Sequence, residues 1–190
     1  RKNIAYLTDE EISKFHDAIV DGSNGLSLKS RAIGIILLYT GLRACDVAAL
    51  TLDSVDWDKG VIDVTQQKTQ RNIRLPLLPI IGNAIYDYCV EERPKANVPY
   101  LFVSDNAPHG KLTTDGIAYS ASLVMNKAEV RMKKGDRRGT HIFRHHFATA
   151  LLGSGVPQAV ITEALGHSSP LSLESYLYAD MVHLRECALS

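Results

Sequence analysis

Residues 28–43, LKSRAIGIILLYTGLR, decide how the rest of the chain is read. From Ala32 to Tyr39 every position is apolar or small, the pattern of a helix buried on all sides. The run falls well short of the ~20 residues that a membrane span needs. The helix is expected from about Leu28 to Thr40. It should stop at Gly41, because glycine takes the left-handed cap conformation without a Cβ penalty. Thr40-Gly41-Leu42-Arg43 then puts a guanidinium just past a helix end, where its rigid donor fork can meet a phosphate. In isolation such an arginine is more often an ordinary surface group.

Working outward, Thr8-Asp9-Glu10-Glu11 supplies a capping side chain and first-turn acids, with Ile12, Phe15, Ile19 and Val20 following on one face. Residues 21–25 (DGSNG) break that helix. A short helix is expected over Ala44 to Leu50. The texture then changes. Val55-Asp56-Trp57, a turn at Asp58-Lys59-Gly60 and the alternation Val61 to Val64 predict a β-hairpin. A polar turn spans Gln66 to Gln70, and a third strand runs from Asn72 to Pro76, which ends it for want of an N–H donor. Helices are expected over 79–92, 114–129, 141–153, 157–165, 171–178 and 180–188, with a loop at 106–110. The fold class is mostly α with a small antiparallel β-sheet at one edge (α+β).

The 190 residues suffice for one good-sized domain or two small ones, and 45% hydrophobic with 22% charged residues is ordinary for a folded soluble chain. Cys45, Cys89 and Cys187 are odd in number and widely spaced, which fits neither a disulfide framework nor a zinc ribbon. A reducing cytoplasm is the simplest setting. A net charge of zero does not announce a nucleic-acid binder, but the distribution says more. Arg131, Lys133, Lys134, Arg137, Arg138 and Arg144 stand against the single acid Asp136. Such a run is usually a solvated surface; here it leads straight into His141-Ile142-Phe143-Arg144 and raises the odds of an anionic partner. The first residue is Arg1, not Met, so the expectation is a piece of a longer protein.

The chemistry-bearing residues are individually weak signals. His141 and Arg144 lie three apart on one helical face, where two donor groups suit an anionic oxygen cluster or are simply exposed. Lys68 sits in the second turn of the sheet, a place where lysines are commonly solvated and mobile. Leu165-Gly166-His167 puts an imidazole at a turn tip. Tyr176 follows nine residues later in a helical stretch, where a tyrosine normally packs. Nothing local lowers its pKa from about 10. Order and setting change the balance, because all of these motifs recur in one series.

That series, from Leu7 to about Arg185, resembles the tyrosine recombinase (phage integrase) family and covers nearly the whole chain. The resemblance implies the catalytic domain of an enzyme that cuts and rejoins DNA without ATP, metal or cofactor. By it, Arg43 and Arg144 clamp the non-bridging oxygens of the scissile phosphate. His141 hydrogen-bonds the phosphate and assists proton transfer, and His167 orients the phosphate. Lys68 protonates the leaving 5′ oxygen, and Tyr176 is the nucleophile that forms a 3′-phosphotyrosine. Tyr178 is its competitor, disfavoured by the nine-residue interval from His167. Asp46 matches an acidic position that supports the arginines from behind. Clustered cations would favour the phenolate.

The resemblance further implies a helical core-binding domain ahead of residue 7. Double-stranded DNA is the implied partner, and a homotetramer would assemble on it, the segment after about Asp180 packing on a neighbouring protomer. The basic run Arg131, Lys133, Lys134, Arg137 and Arg138 is the candidate DNA-backbone contact. No membrane association is expected, and the state off DNA is left open, a monomer being one outcome. Three rivals stand beside this reading. A non-catalytic DNA-binding module would have no need of all six residues. A type IB topoisomerase shares the chemistry but acts as a monomer. A zinc hydrolase on His141, His145 and His167 lacks a His-Glu-x-x-His glutamate.

Overall fold

A computed structural model of the chain describes residues 7–162 and Leu165. The helices expected over 171–178 and 180–188, with His167, Tyr176 and Tyr178, lie outside the described residues.

α1 (Asp9–Val20) opens with the full capping box that its sequence requires. Thr8 Oγ1 accepts from the Glu11 amide at 3.2 Å, and the Glu11 carboxylate accepts from the Thr8 amide at 2.9 Å. α2 (Leu28–Thr40) is the axis of the domain. Every residue of α2 after Leu28 is buried, and α1, α4 (Pro79–Asp87), α5 (Thr114–Lys127) and α6 (His141–Gly153) pack around it. Ring contact between Phe15 and Phe143, with centroids 4.9 Å apart, ties α1 to α6. α3 (Ala44–Ala49) then leads to a three-stranded antiparallel sheet in the order β1-β2-β3: β1 (Val55–Asp56), β2 (Val61–Thr65) and β3 (Asn72–Pro76). Its register pairs Val61 with Pro76 and Thr65 with Asn72, which sets the turn at residues 66–71.

α4 (Pro79–Asp87), α5 (Thr114–Lys127), α6 (His141–Gly153) and α7 (Gln158–Thr162) complete the described elements. The sheet was expected at the edge of a helical domain, and it lies there, touching α3. The continuous helix expected over 79–92 is instead α4 followed by a wider π turn, Tyr88–Glu92. That turn serves two ends. Tyr88 is fully buried and stacks on Phe102, while the Glu92 carboxylate accepts from the N–H groups of Leu28 and Lys29 at 2.6 and 3.1 Å and so caps α2 from a distance. Trp57 belongs to the hairpin turn and not to β1. A 3-10 turn, Leu52–Ser54, and the bridges of Thr51 to Tyr100 and of Val103 to Lys111 had no sequence signal.

Two contacts fix the chain on either side of α6. His146 is buried, and its Nδ1 donates to the Leu7 carbonyl at 3.1 Å. Burial holds its pKa below the usual histidine value, so the ring is a neutral structural donor. Beyond α5, Arg131 takes a left-handed conformation (φ 52°) and directs its guanidinium onto Glu11, with Nε and Nη2 at 2.9 and 3.1 Å from the two carboxylate oxygens. Burial alone would raise the Glu11 pKa, but Arg131 and Thr8 together hold it below the usual value of 4.5. An acid with a depressed folded pKa adds stability above the unfolded pKa and loses it as pH falls through the folded one. Glu11→Gln is therefore predicted to cost about 1–3 kcal/mol at pH 7 in urea unfolding. The gap to the unsubstituted chain should narrow below pH 4.5. A pH-independent gap would assign the loss to helix capping alone.

Candidate active site

The exit from α2 builds the first half of the site. Gly41 caps the helix at φ 61° and ψ 18°, with its N–H on the Leu37 carbonyl at 3.2 Å. Thr40 Oγ1 donates to the Ile36 carbonyl at 2.5 Å and accepts from the Leu42 amide at 3.2 Å, so the chain leaves the helix in a fixed direction. Leu42 is buried and anchors the turn. Arg43 follows as the N-cap residue of α3, its carbonyl accepting from the Asp46 amide at 2.9 Å.

Asp46 lies behind Arg43 with a side chain wholly shielded from solvent. Its Oδ2 is 3.9 Å from Arg43 Nη1, an ion pair too long for a hydrogen bond. Both of those buried atoms lack a hydrogen-bond partner among the described residues. Oδ1 accepts from the Gln67 amide at 2.8 Å. One carboxylate thus backs the arginine with one oxygen and holds the turn that carries Lys68 with the other. Lys68 itself is exposed at the tip of that turn.

α6 supplies the second half. His141 is the first residue of α6 and is exposed; Ile142 and Phe143 turn into the core, as their apolar character requires. Arg144, one turn on, is half-buried. Its Nη1 donates to the Gly41 carbonyl at 3.1 Å and its Nη2 to the Leu165 carbonyl. Burial, and then repulsion from Arg43, push its pKa down to about 10, against a partly compensating pull from Asp46. It stays protonated at neutral pH, and an anion placed between the two guanidiniums would relieve the repulsion. Cys45, beside them, is no thiolate: burial, then Asp46, push its thiol pKa up.

Of the residues singled out from sequence, Arg43, Asp46, Arg144 and the turn that carries Lys68 are thus tied together through Gly41 and Gln67. His141 lies one turn from Arg144. The basic run divides. Arg131 is committed to Glu11, so its side chain serves the fold instead of presenting a free cation. Arg138 Nη2 donates to the Asn126 side chain and to the Ser122 carbonyl at 3.4 Å. Lys133, Lys134 and Arg137 are exposed. Gln66 and the Gln67 amide were missed as parts of the site. A signal for Gln66 existed, since it continues the inward phase of Ile62 and Val64 with a polar side chain, and it is fully buried. Among the described residues, no group of three His, Cys, Asp or Glu side chains could hold a metal ion. His167, the third histidine of the zinc alternative, lies outside them. Nor is any described helix long and apolar enough to cross a membrane.

A family model described as the phage integrase family matches residues 5–183. A protein of Sinorhizobium fredii named as an integrase/recombinase is 37% identical over 163 residues, covering 85% of this chain and 82% of that protein. The tyrosine recombinase XerC of Listeria monocytogenes is 29% identical over 185 residues, covering 95% of this chain and 59% of the relative. Of two further Sinorhizobium fredii relatives the chain spans 42% and 43%. The crystal structure of XerA recombinase superposes with a TM-score of 0.68 at 26% identity, over 95% of this chain and 62% of that one. A post-cleavage complex of the XerH site-specific recombinase with a palindromic difH substrate gives 0.67 at 26% identity, over 96% and 52%.

Gly41 is predicted to be the least replaceable residue of the helix exit. A Cβ there would sit 2.9 Å from the ring of the buried Phe147. Gly41→Ala should cost roughly 1–2 kcal/mol for the left-handed backbone and about 1–3 kcal/mol more for displacing the ring. Gly60→Ala is the control, because Gly60 has φ 64° with open space around it. It should lose only the backbone part. Equal losses in chemical denaturation would remove Phe147 from the explanation.

Proposed function

The chain belongs to the phage integrase family of tyrosine recombinases, and on that premise we propose that it carries out DNA strand cleavage and rejoining through a 3′-phosphotyrosine intermediate. One observation supports this reading above the rest. Arg43 and the lysine-bearing turn are held on one buried carboxylate, Arg144 is tied to the Gly41 carbonyl two residues before Arg43, and Arg43 Nη1 has no hydrogen-bond partner among the described residues.

In the proposed reaction Arg43 and Arg144 hold the two non-bridging oxygens of the scissile phosphate and stabilise the added charge of its pentacoordinate transition state. Groups of this kind contribute about 10²–10³-fold each when aimed at developing charge. The Tyr176 oxygen attacks phosphorus in line as its phenolic proton passes to His141 or to water, forming the phosphotyrosine bond. The bond to the 5′ oxygen breaks, and Lys68 delivers a proton to that oxygen, leaving a free 5′ hydroxyl. His141 and His167 hydrogen-bond the phosphate. Religation is the same path reversed, so the energy of the diester is kept in the covalent adduct and neither ATP nor a metal is needed. Cations around Tyr176 would favour its phenolate form.

Double-stranded DNA is the proposed partner, in line with the difH complex of the XerH relative. The exposed Lys133, Lys134 and Arg137 extend a positive surface from the start of α6 and suit backbone phosphates. Exchange between two duplexes calls for four active sites, hence a homotetramer on DNA in which the segment after about Asp180 packs on a neighbour. Residues 7–190 form the catalytic domain in this reading. Residues 1–6 are the linker from a helical domain that grips the other face of the duplex, and a mobile element acting in the cytoplasm is the setting.

The test is a nicked suicide duplex carrying the parent element's end sequence, incubated with the protein in EDTA and resolved on a denaturing gel. A covalent protein–DNA adduct is expected, and Tyr176→Phe should abolish it. An adduct that persists in Tyr176→Phe moves the nucleophile to Tyr178. No adduct, with the full-length parent as well, would favour the non-catalytic DNA-binding reading.

A further inference from the structure

The turn that carries Lys68 is braced from both flanks, and the second brace has no place in the chemistry above. Gln66 is fully buried and every polar group it owns is used. Its backbone N–H donates to the Arg71 carbonyl and its carbonyl accepts from the Gln70 amide, both at 2.8 Å, which closes the turn. Its side-chain Oε1 accepts from Thr69 Oγ1 at 2.7 Å, one residue past the lysine. Its Nε2 donates to the Leu165 carbonyl at 3.4 Å, a contact spanning 99 residues of sequence. That same carbonyl accepts the Nη2 of Arg144. The other flank is the Gln67 amide on Asp46.

We infer that Gln66 is a positioning residue for the leaving-group acid, registering the Lys68 turn against the Arg144 guanidinium through their shared acceptor, the Leu165 carbonyl. The inference rests on the recombinase reading and adds a residue to it. An exposed lysine on a β-turn has freedom in four side-chain torsions, and ordering it carries an entropic cost. Fixing the backbone beneath it limits the search to the side chain. Leu165 lies two residues before His167 and eleven before Tyr176. A turn docked on the Leu165 carbonyl is therefore in register only when the chain leading to the nucleophile is in place. Buried polar side chains persist at a cost unless every group is paired. An apolar residue would suit the inward phase of β2 better if packing were the sole demand.

The readout must separate the leaving-group proton from the phosphate clamp. In an ordinary duplex the leaving 5′ oxygen is an alkoxide, whose conjugate acid is about as weak an acid as water. Replacing that oxygen with sulfur gives a thiolate, whose conjugate acid lies near the cysteine value of about 8.5. Sulfur departs without a proton, so a defect confined to Lys68 disappears on it. Both duplexes keep the two non-bridging oxygens, so a defect in Arg43 or Arg144 persists.

Single-turnover cleavage of the oxygen and sulfur duplexes is measured for the unsubstituted chain, Lys68→Ala, Gln66→Met and Gln66→Glu, with thermal unfolding of each. Gln66→Met keeps the volume and loses both hydrogen bonds, whereas Gln66→Glu keeps the acceptor and loses the donor. On oxygen, Lys68→Ala should fall by about 10²–10⁴-fold and the Gln66 variants by about tenfold or more, within the range of general-acid catalysis. On sulfur, all three should recover to within about threefold of the unsubstituted chain, because no proton is required. A Gln66 variant slowed equally on both duplexes, or on neither, overturns the inference. So does a Lys68→Ala defect that sulfur fails to rescue, although the recombinase reading survives that result. If neither the unsubstituted chain nor its full-length parent forms an adduct with either duplex, the recombinase reading itself fails and takes this one with it.

Discussion

The site depends on a carboxylate that solvent cannot reach. An ionised Asp46 is costly to bury unless its two oxygens are answered. One is answered by the Gln67 amide at 2.8 Å; the other faces Arg43 at 3.9 Å without a hydrogen bond. That second relation is close enough to hold a positive charge nearby and too long to occupy its donors. A guanidinium so placed is restrained in position, and its side chain, still 18% exposed, keeps other N–H groups for an oxyanion. Preorganisation of this kind is what electrostatic catalysis requires, since the donors need not be reorganised when charge develops.

The arginine of α6 is held differently. Arg144 gives Nη1 to the carbonyl of Gly41, at the negative end of α2, and Nη2 to that of Leu165. Backbone carbonyls do not neutralise it, and its pKa is pushed down by burial and by Arg43. The two cations therefore sit together at a cost that Asp46 offsets in part, and that a bound phosphate would offset further. Gly41 lies at the junction: its conformation releases the chain toward Arg43, its carbonyl holds Arg144, and its missing Cβ leaves room for Phe147. The fold and the site therefore meet in one residue that tolerates little change.

Much of this was legible in the sequence, for a definite reason. α1, α2 and the sheet follow from capping residues, an all-round apolar run and strict alternation, each a short-range signal. Gly41 announced the end of α2 and hence the place of Arg43. Spacing of three put His141 and Arg144 on one helical face. What escaped was set by long-range contacts. The π turn at Tyr88–Glu92 forms because Glu92 caps a helix more than sixty residues away. Arg131 reads as a member of a basic run and is drawn instead onto Glu11 across 120 residues. Gln66 and Gln67 look like turn polarity until the distances to Leu165 and Asp46 show where their hydrogen bonds go.

Whether Arg43 and Arg144 act on the charge of a phosphate is read most directly with a duplex whose cleavage-site diester is a neutral methylphosphonate. On the native diester, Arg43→Ala and Arg144→Ala should each slow adduct formation by about 10²–10³-fold. On the neutral duplex one charged oxygen is gone, and at least one of the two penalties should shrink to within about tenfold. Undiminished penalties for both variants on the neutral duplex would contradict the electrostatic clamp and leave the arginines a structural role.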